Sequence, residues 1–257
     1  MIPKIIHYCW FGKKEKPTLI KKCIKSWRRF CPEYKIIEWN EENFNIDCNE
    51  FCKAAYTAGK WAFVTDYVRL KVLYEYGGIY MDTDVELIKP LDNYLNYNCF
   101  MGFQHEKYVS TGLIIGSIKK HGFVKENADI YDDLKFYNED DSFKLTVCQE
   151  YTTELLKKRG LRIPCDGQIQ VLGDIYIFPP EYFCPYDHRT MKMNKTDNTV
   201  AIHHFASSWW DDTRKQKYRK AKIDNIIHYL IHTPNRCIRF LLGSDNYNRL
   251  KKRWKRK

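Results

Sequence analysis

Two aspartates, Asp82 and Asp84, stand one residue apart at the end of a short apolar run, Ile79-Tyr80-Met81. Carboxylates at the tip of a buried strand are costly, on the order of several kcal/mol each, unless they are paired or bound to a cation. A divalent cation that also grips a diphosphate answers both needs. Hard oxygen ligands suit Mg²⁺ or Mn²⁺, and phosphate oxygens complete the shell. Asp-x-Asp by itself is a common product of turns, so its surroundings decide its meaning. Asp66 and Arg69 lie three apart in a stretch of helical spacing and therefore share a face. They sit among Val68, Leu70 and Leu73, so the residues alone allow either a structural ion pair or a clamp for a ligand. A third group is His203-His204-Phe205-Ala206-Ser207-Ser208-Trp209-Trp210, which follows an apolar run. Imidazole, hydroxyl and indole together suit a further metal ligand and a lid, or else a hairpin of core aromatics. Side chains alternate along a strand, so at most one of two adjacent histidines faces the metal.

These residues need elements to position them. Trp61 to Tyr76 holds no Gly or Pro, and its apolar residues at Val64, Tyr67, Val68, Leu70, Leu73 and Tyr74 follow helical spacing. Gly77-Gly78 ends that helix, the next three residues form a strand, and Val85 to Ile88 is extended up to Pro90. Upstream, Lys4 to Trp10 reads as a buried strand, Leu19 to Phe30 as an amphipathic helix and Tyr34 to Trp39 as a second strand. Strand, helix, strand in that span is the signature of a parallel sheet. Ligands bind outside the carboxyl ends of such strands, which places Trp10 as a nucleobase stacker or a core indole. A helix is expected over Phe51 to Ala58, and strands over residues 99–103, 111–116, 175–178 and 199–202, with further helices over 122–137 and 153–159. The expected fold is α/β and Rossmann-like, a mostly parallel central sheet flanked by helices. It occupies residues 1–212, and a basic amphipathic helical extension follows over 213–257.

The run Asp66-x-x-Arg69, Tyr76-Gly77-Gly78-Ile79-Tyr80-x-Asp82-x-Asp84 resembles the sugar-binding region of glycosyltransferase family 32, which carries an Asp-x-Asp motif. The opening Ile2-Pro3-Lys4-Ile5-Ile6-His7-Tyr8-Cys9-Trp10-Phe11-Gly12 and the His-rich closing block are similar to the same family's ends. The resemblance implies a GT-A-type enzyme that transfers a hexose from a nucleotide sugar with retention at the anomeric carbon. Asp84 would be the direct metal ligand, and Asp82 would bridge the metal and the donor. Asp66 and Arg69 would hold sugar hydroxyls and a phosphate, Tyr80 would brace the donor, and Trp10 would stack on the base. His204 and Ser207 would stand near the metal with Trp209 as the lid. Asp82, Asp84 and Arg69 form the catalytic set. A UDP-sugar is expected ahead of GDP-mannose, and the acceptor is expected to be a glycan or a lipid-linked glycan of a bacterial surface polysaccharide. Where relatives often carry a Gly-Pro turn, this chain has Val147-Cys148-Gln149-Glu150, which leaves the acceptor side unassigned.

Composition narrows the class further. The 257 residues suffice for one α/β domain with a full core, and the formal charge is +11. From Thr213 to Lys257 there are 15 Lys or Arg against two acids, so the remaining residues carry a net charge of −2. A basic tail on a near-neutral body argues against a nucleic-acid binder and suits contact with an anionic membrane surface, or simply a packed basic helix. The ten cysteines show no Cys-x-x-Cys pairing, so neither a zinc site nor a disulfide framework is expected. With no signal-peptide pattern and no long apolar run, the expected place is the cytoplasm, peripheral to the membrane. A catalytically silent carbohydrate- or nucleic-acid-binding protein is the competing reading.

Overall fold

The computed structural model describes residues 1–140, 142–143, 146–187 and 190–206. Ser207, Trp209 and the expected extension over 213–257 lie outside the described residues. Residues 1–206 form one compact unit. The chain runs through β1 (Ile5–Cys9), α1 (Thr18–Phe30), β2 (Lys35–Trp39), α2 (Glu50–Thr57), α3 (Trp61–Tyr76), β3 (Gly78–Tyr80) and β4 (Val85–Leu87). There follow β5 (Cys99–His105), β6 (Tyr108–Val109), β7 (Ile115–Ser117), α4 (Gly122–Asp129), α5 (Cys148–Lys157), β8 (Gln170–Leu172) and β9 (Ile175–Phe178). The described unit closes with α6 (Pro180–Phe183), the small hairpin of β10 (Tyr186–Asp187) and β11 (Lys192–Met193), and β12 (Ala201–His203).

The main sheet has the order β2-β1-β3-β7-β5-β9-β8, with β6 paired to β5. The α/β class with a helix-flanked sheet is as expected, but the sheet is mixed. Strands β1, β2 and β3 are parallel, as are β5 and β9, whereas β7 runs antiparallel between β3 and β5, and β8 antiparallel at the edge. The reason is the connections: β5 to β6, β7 and β8 to β9 are joined by segments too short for the crossover that parallel pairing needs.

Alternation along the strands builds two cores. Cys9, Tyr80, Cys99, Met101, Phe103, Ile115, Ile175 and Ile177 face α2, α3 and α5, and the intervening Ile6, Tyr8, Ile79, Phe100 and Phe178 face α1 and α6. Helix α3 lies inside the first core and is buried on most sides, from Phe63 and Val64 through Val72 and Leu73. Gly77 ends it at φ 67°, and at Gly78 (φ 108°) a side chain would meet the Ile5 carbonyl at 2.8 Å. The two glycines thus let β3 turn straight into pairing with β1. Helix α1 holds the next segment from the other face. The Trp27 indole N–H donates to the Val85 carbonyl at 2.7 Å, and the Leu87 N–H donates to the Ser26 hydroxyl at 2.9 Å.

Three local expectations change. The helix expected over 122–137 ends at Asp129, with a single 3-10 turn to Asp132. Asn49 terminates it by donating to the Tyr131 carbonyl and the Asp132 carboxylate, and Phe136 then turns inward between Phe51 and Phe63. The helix expected from residue 153 begins at Cys148, because Cys148, Thr152, Thr153, Leu155 and Leu156 all face the core. The strand expected over 111–116 is shifted to Ile115–Ser117, and residues 111–113 form a turn against Asp82.

His7 is fully buried and satisfied at both ring nitrogens. Its Nε2 donates to the Gly77 carbonyl at 2.8 Å, and its Nδ1 accepts from the Trp39 indole at 3.0 Å. That pattern requires the neutral ring, and burial pulls the pKa down to about 4. Unfolded chains therefore bind a proton between pH 6.5 and 4 that the native state refuses, so stability is full above the ordinary histidine value and falls as pH drops toward 4. Urea unfolding should show a loss on the order of 3 kcal/mol from this group across that window. In a His7→Gln variant the pH slope should shrink by about one proton; an unchanged slope would assign the acid sensitivity to other groups.

Candidate metal and donor site

Strands β1 and β3 are parallel neighbours, so their carboxyl ends open on one edge of the sheet. Trp10 follows β1 there, and Asp82 and Asp84 follow β3. The acidic pair is fixed by main-chain bonds before any side chain acts. The Asp82 N–H donates to the Gly112 carbonyl at 2.9 Å, the Val85 N–H to the Asp82 carbonyl at 3.0 Å, and the His204 N–H to the Asp84 carbonyl at 3.0 Å. β12 lies antiparallel on β4, with His203 opposite Val85.

Arg69 organises the Asp82 side of the site. Its side chain is 3% exposed, with Nη1 at 3.0 Å from Asp66 Oδ1 and Nη2 at 3.2 Å from Asp82 Oδ1. Nη2 also donates to Thr65 Oγ1 at 3.1 Å, and Nη1 to the Cys148 sulfur at 3.2 Å and, more weakly, to Thr111 Oγ1 at 3.5 Å. The guanidinium lies 5.0 Å from the centre of the Tyr80 ring, and the Tyr80 hydroxyl donates to Asp82 Oδ1 at 2.9 Å. Burial works against the charge on Arg69, but Asp82, Tyr80 and Asp66 more than offset it, so the group stays protonated well above its ordinary range. Gly112 closes the pocket: a Cβ there would run into the Asp82 carboxylate and stand 3.0 Å from Arg69 Nη1.

Asp84 is held from the other side. Its Oδ1 lies 3.3 Å from His203 Nε2, and its Oδ2 accepts the Ala206 N–H at 2.7 Å. Burial pushes upward on both aspartates, with opposite outcomes. At Asp82 burial prevails over Arg69, whereas at Asp84 His203 and the Ala206 N–H pull the group below its ordinary value. Ligand atoms of Asp82, Asp84 and His203 all lie within 4.8 Å of one another. Two carboxylates and one imidazole form a donor set suited to a divalent cation, Mn²⁺ better than Mg²⁺, which favours all-oxygen shells, and Asp82, with a side chain 32% exposed, is open for a bound group to complete the shell.

The expected residues are therefore sorted by geometry. Asp82, Asp84, Arg69, Asp66 and Tyr80 come together. Tyr80 is 1% exposed, so it reaches Asp82 and the underside of Arg69 rather than a donor. Trp10 stands half-buried at the β1 tip, where its indole donates to the Lys14 carbonyl at 2.6 Å and the Lys16 ammonium lies 5.4 Å from its ring centre. His204 does not face the acidic pair: its Nε2 pairs with Glu86 at 2.8 Å, and the adjacent His203 points to Asp84 instead. The cause is strand alternation, with the register of β12 on β4 deciding which of the two turns inward. Reading the sequence missed Thr65, Thr111, Gly112 and Cys148. Thr65 was within reach, one helical turn before Arg69; Cys148 arrives from a distant helix and leaves no local signal.

Residues 17–101 match the family described as "Glycosyltransferase sugar-binding region containing DXD motif". An inositol phosphoceramide mannosyltransferase 3 of Schizosaccharomyces pombe is 32% identical over 135 residues, covering 48% of this chain and 35% of that protein. A human alpha-1,4-N-acetylglucosaminyltransferase is 39% identical over 136 residues, covering 50% of this chain and 36% of that one. The chain thus spans about a third of the length of these two curated relatives. The structure of "PaToxG Glycosyltransferase" superposes with a TM-score of 0.50 at 18% identity, covering 61% of this chain and 68% of that one. The described residues carry a glycosyltransferase-type α/β fold with an Asp-x-Asp cluster at its strand tips.

Replacing Arg69 by Met should leave Asp66 and Asp82 without their countercharge and cost about 3–5 kcal/mol of stability. Urea denaturation measures this. Adding Asp66→Leu should restore part of the loss, and a single variant of wild-type stability would refute the role given to this pair.

Proposed function

We propose that this chain is a metal-dependent, retaining glycosyltransferase that moves a hexose from a nucleotide sugar to a glycan or lipid-linked acceptor. The observation that carries the reading is the convergence of Asp82, Asp84 and His203 at the sheet edge, beside a buried arginine. In this reading Asp84 and His203 hold Mn²⁺ or Mg²⁺, and Asp82 shares it with the donor. The cation, when bound, neutralises charge developing on the departing diphosphate.

The protein's own groups do the remaining work. Arg69 cannot swing out, since five side chains hold its two terminal nitrogens, so it presents a fixed positive field to the donor. Tyr80 and Gly112 hold the Asp82 carboxylate in one orientation, the first by a hydrogen bond and the second by leaving it room. Trp10 offers a ring at the adjacent strand tip for the nucleobase. Asp66 is tied to Arg69, Asp82 to Arg69 and Tyr80, and Asp84 to His203 and the Ala206 N–H. With these carboxylates engaged, attack by the acceptor hydroxyl on the face the diphosphate leaves is favoured over an enzymic nucleophile. UDP-sugars are preferred to GDP-mannose as donors. The names of the relatives, a mannosyltransferase acting on a phosphoceramide and an N-acetylglucosaminyltransferase, support a membrane-lipid or glycan acceptor. The setting preferred is bacterial surface-polysaccharide assembly at the inner face of the membrane, with the basic extension over 213–257 against anionic lipid. No helix among the described residues is long and apolar enough to cross a membrane.

The test is release of nucleotide from UDP-glucose, UDP-galactose, UDP-N-acetylglucosamine and GDP-mannose with and without Mn²⁺. One donor should be turned over in a Mn²⁺-dependent way, and Asp84→Asn should lower that rate about a hundredfold or more. His203→Gln should raise the Mn²⁺ requirement by about ten- to a hundredfold, whereas His204→Gln should leave it unchanged. Wild-type turnover in Asp84→Asn, or turnover of every donor indifferent to Mn²⁺, would defeat the assignment.

A further inference from the structure

Between α4 and α5 the chain forms a small aromatic hairpin that the donor site does not use. Phe136 anchors it, buried with ring centroids 5.4 Å from Phe51 on α2 and 5.5 Å from Phe63 on α3. Tyr137 and Phe143 then pair as an antiparallel bridge, and the Asn138 N–H donates to the Ser142 carbonyl at 2.8 Å across the tip. Residues opposed in such a bridge project to one face. The two rings stand 5.6 Å apart with 37° between their planes, exposed by 39% and 37%. With Tyr76 they are the exposed aromatic side chains among the described residues.

Their place relates them to the site. The Lys60 ammonium lies 4.7 Å from the Phe143 ring centre, and Lys60 immediately precedes α3. From Lys60 to Arg69 is nine residues of helix, about 14 Å at the α-helical rise. The start of α3 reaches the carboxyl edge of the sheet, because the Trp61 indole packs on Gly12 just beyond β1, where a Cβ would stand 2.6 Å from it. On the other side of the hairpin the chain reaches Cys148, whose sulfur accepts from Arg69, five residues after Phe143. The hairpin is therefore tied to the surroundings of Arg69 from both directions, near the carboxyl edge of the sheet.

Its chemistry combines two flat apolar faces with hydrogen-bonding carboxylates. Glu139 and Asp140 are exposed at the tip, and the Ser142 hydroxyl donates to Asp140 at 2.5 Å. A pyranose presents the complement, a C–H face for a ring and a rim of hydroxyls for carboxylates. The exposed acids Glu139 and Asp140 repel phosphates, which disfavours an anionic membrane as the occupant. We propose that Tyr137 and Phe143 form a carbohydrate platform that holds the acceptor glycan, on the sugar units behind the reacting hydroxyl. The proposal rests on the glycosyl-transfer reading above.

The experiment is binding of linear trisaccharides (mannotriose, maltotriose, cellotriose and chitotriose) to the full chain with UDP and Mn²⁺, followed by saturation-transfer NMR and calorimetry. At least one should bind, and Tyr137→Ala and Phe143→Ala should each weaken its Kd about tenfold. Tyr137→Phe and Phe143→Tyr, which keep the rings, should bind as the wild type does. If the alanine variants fail to fold, Tyr137→Leu and Phe143→Leu keep apolar bulk without a flat ring, and the same loss is expected. Failure of all four sugars to bind, or undiminished binding by the ring-less variants, overturns the platform. Ring-less variants that keep trisaccharide affinity but no longer sediment with phosphatidylglycerol vesicles would make the surface a membrane contact and equally overturn it. Mn²⁺-dependent donor hydrolysis, measured without any trisaccharide, separates failure of the platform from failure of the reading beneath it.

Discussion

A guanidinium buried to 3% exposure is the constraint from which the rest of the site follows. An isolated charge in such a place is prohibitively costly, so its partners must arrive with good geometry. Asp66 comes from the same helix, one turn earlier, and can form its pair as soon as the helix does. Asp82 comes from the far side of a chain reversal, and its pairing with Arg69 locks α3 and the strand tip into one register. Gly77 and Gly78 make that reversal tight enough, Tyr80 fills the space beneath the cation, and Gly112 keeps the space beside the carboxylate empty. The acidic pair thus sits in the short turn between β3 and β4, braced by α3 through Arg69 rather than left on a free loop, which fixes its geometry.

The second half of the site is fixed by a different device. β4 belongs not to the main sheet but to a two-stranded ribbon with β12, clamped to α1 by Trp27 and Ser26. Asp84 sits at the head of this ribbon, and His203 is brought to it by the pairing of His203 with Val85. One carboxylate is therefore referred to the α3 core and the other to the α1 core. The two cores meet through the main sheet, whose strands send alternate side chains into each. The separation of the carboxylates is then set from both cores at once, through Arg69 on one side and β12 on the other.

Much of this was legible in the residues. The helix Trp61–Tyr76, the glycine stop and the strand before Asp82 follow from spacing and from the absence of breakers, and they bring Asp66, Arg69, Tyr80, Asp82 and Asp84 to one place. The choice between His203 and His204 was not legible, since it depends on a one-residue register against β4 that the sequence of β12 leaves open. The helix expected to run to Tyr137 was overextended because its polar spacing continues; only the side chain of Asn49, reaching across from another element, ends it. Antiparallel β7 and β8 were hidden for a similar reason, as both are three-residue strands whose direction is set by their neighbours. What spacing encodes was read; what tertiary capture decides was not.

The β4–β12 ribbon has a consequence for biosynthesis. Asp84 and His203 are 119 positions apart, so at roughly 5–20 residues per second the nascent chain exposes its acidic pair for about 6–24 s before the imidazole exists. During that interval β4 has an unpaired edge, the kind of surface that recruits stray strands. The Asp82, Asp84 and His203 cluster is accordingly completed only when β12 is made, and its completion coincides with the capping of an edge prone to aggregation. A ribosome stalled before Ala201 would leave a chain with most of its sheet in hand, an open flank, and an acidic pair still lacking its imidazole.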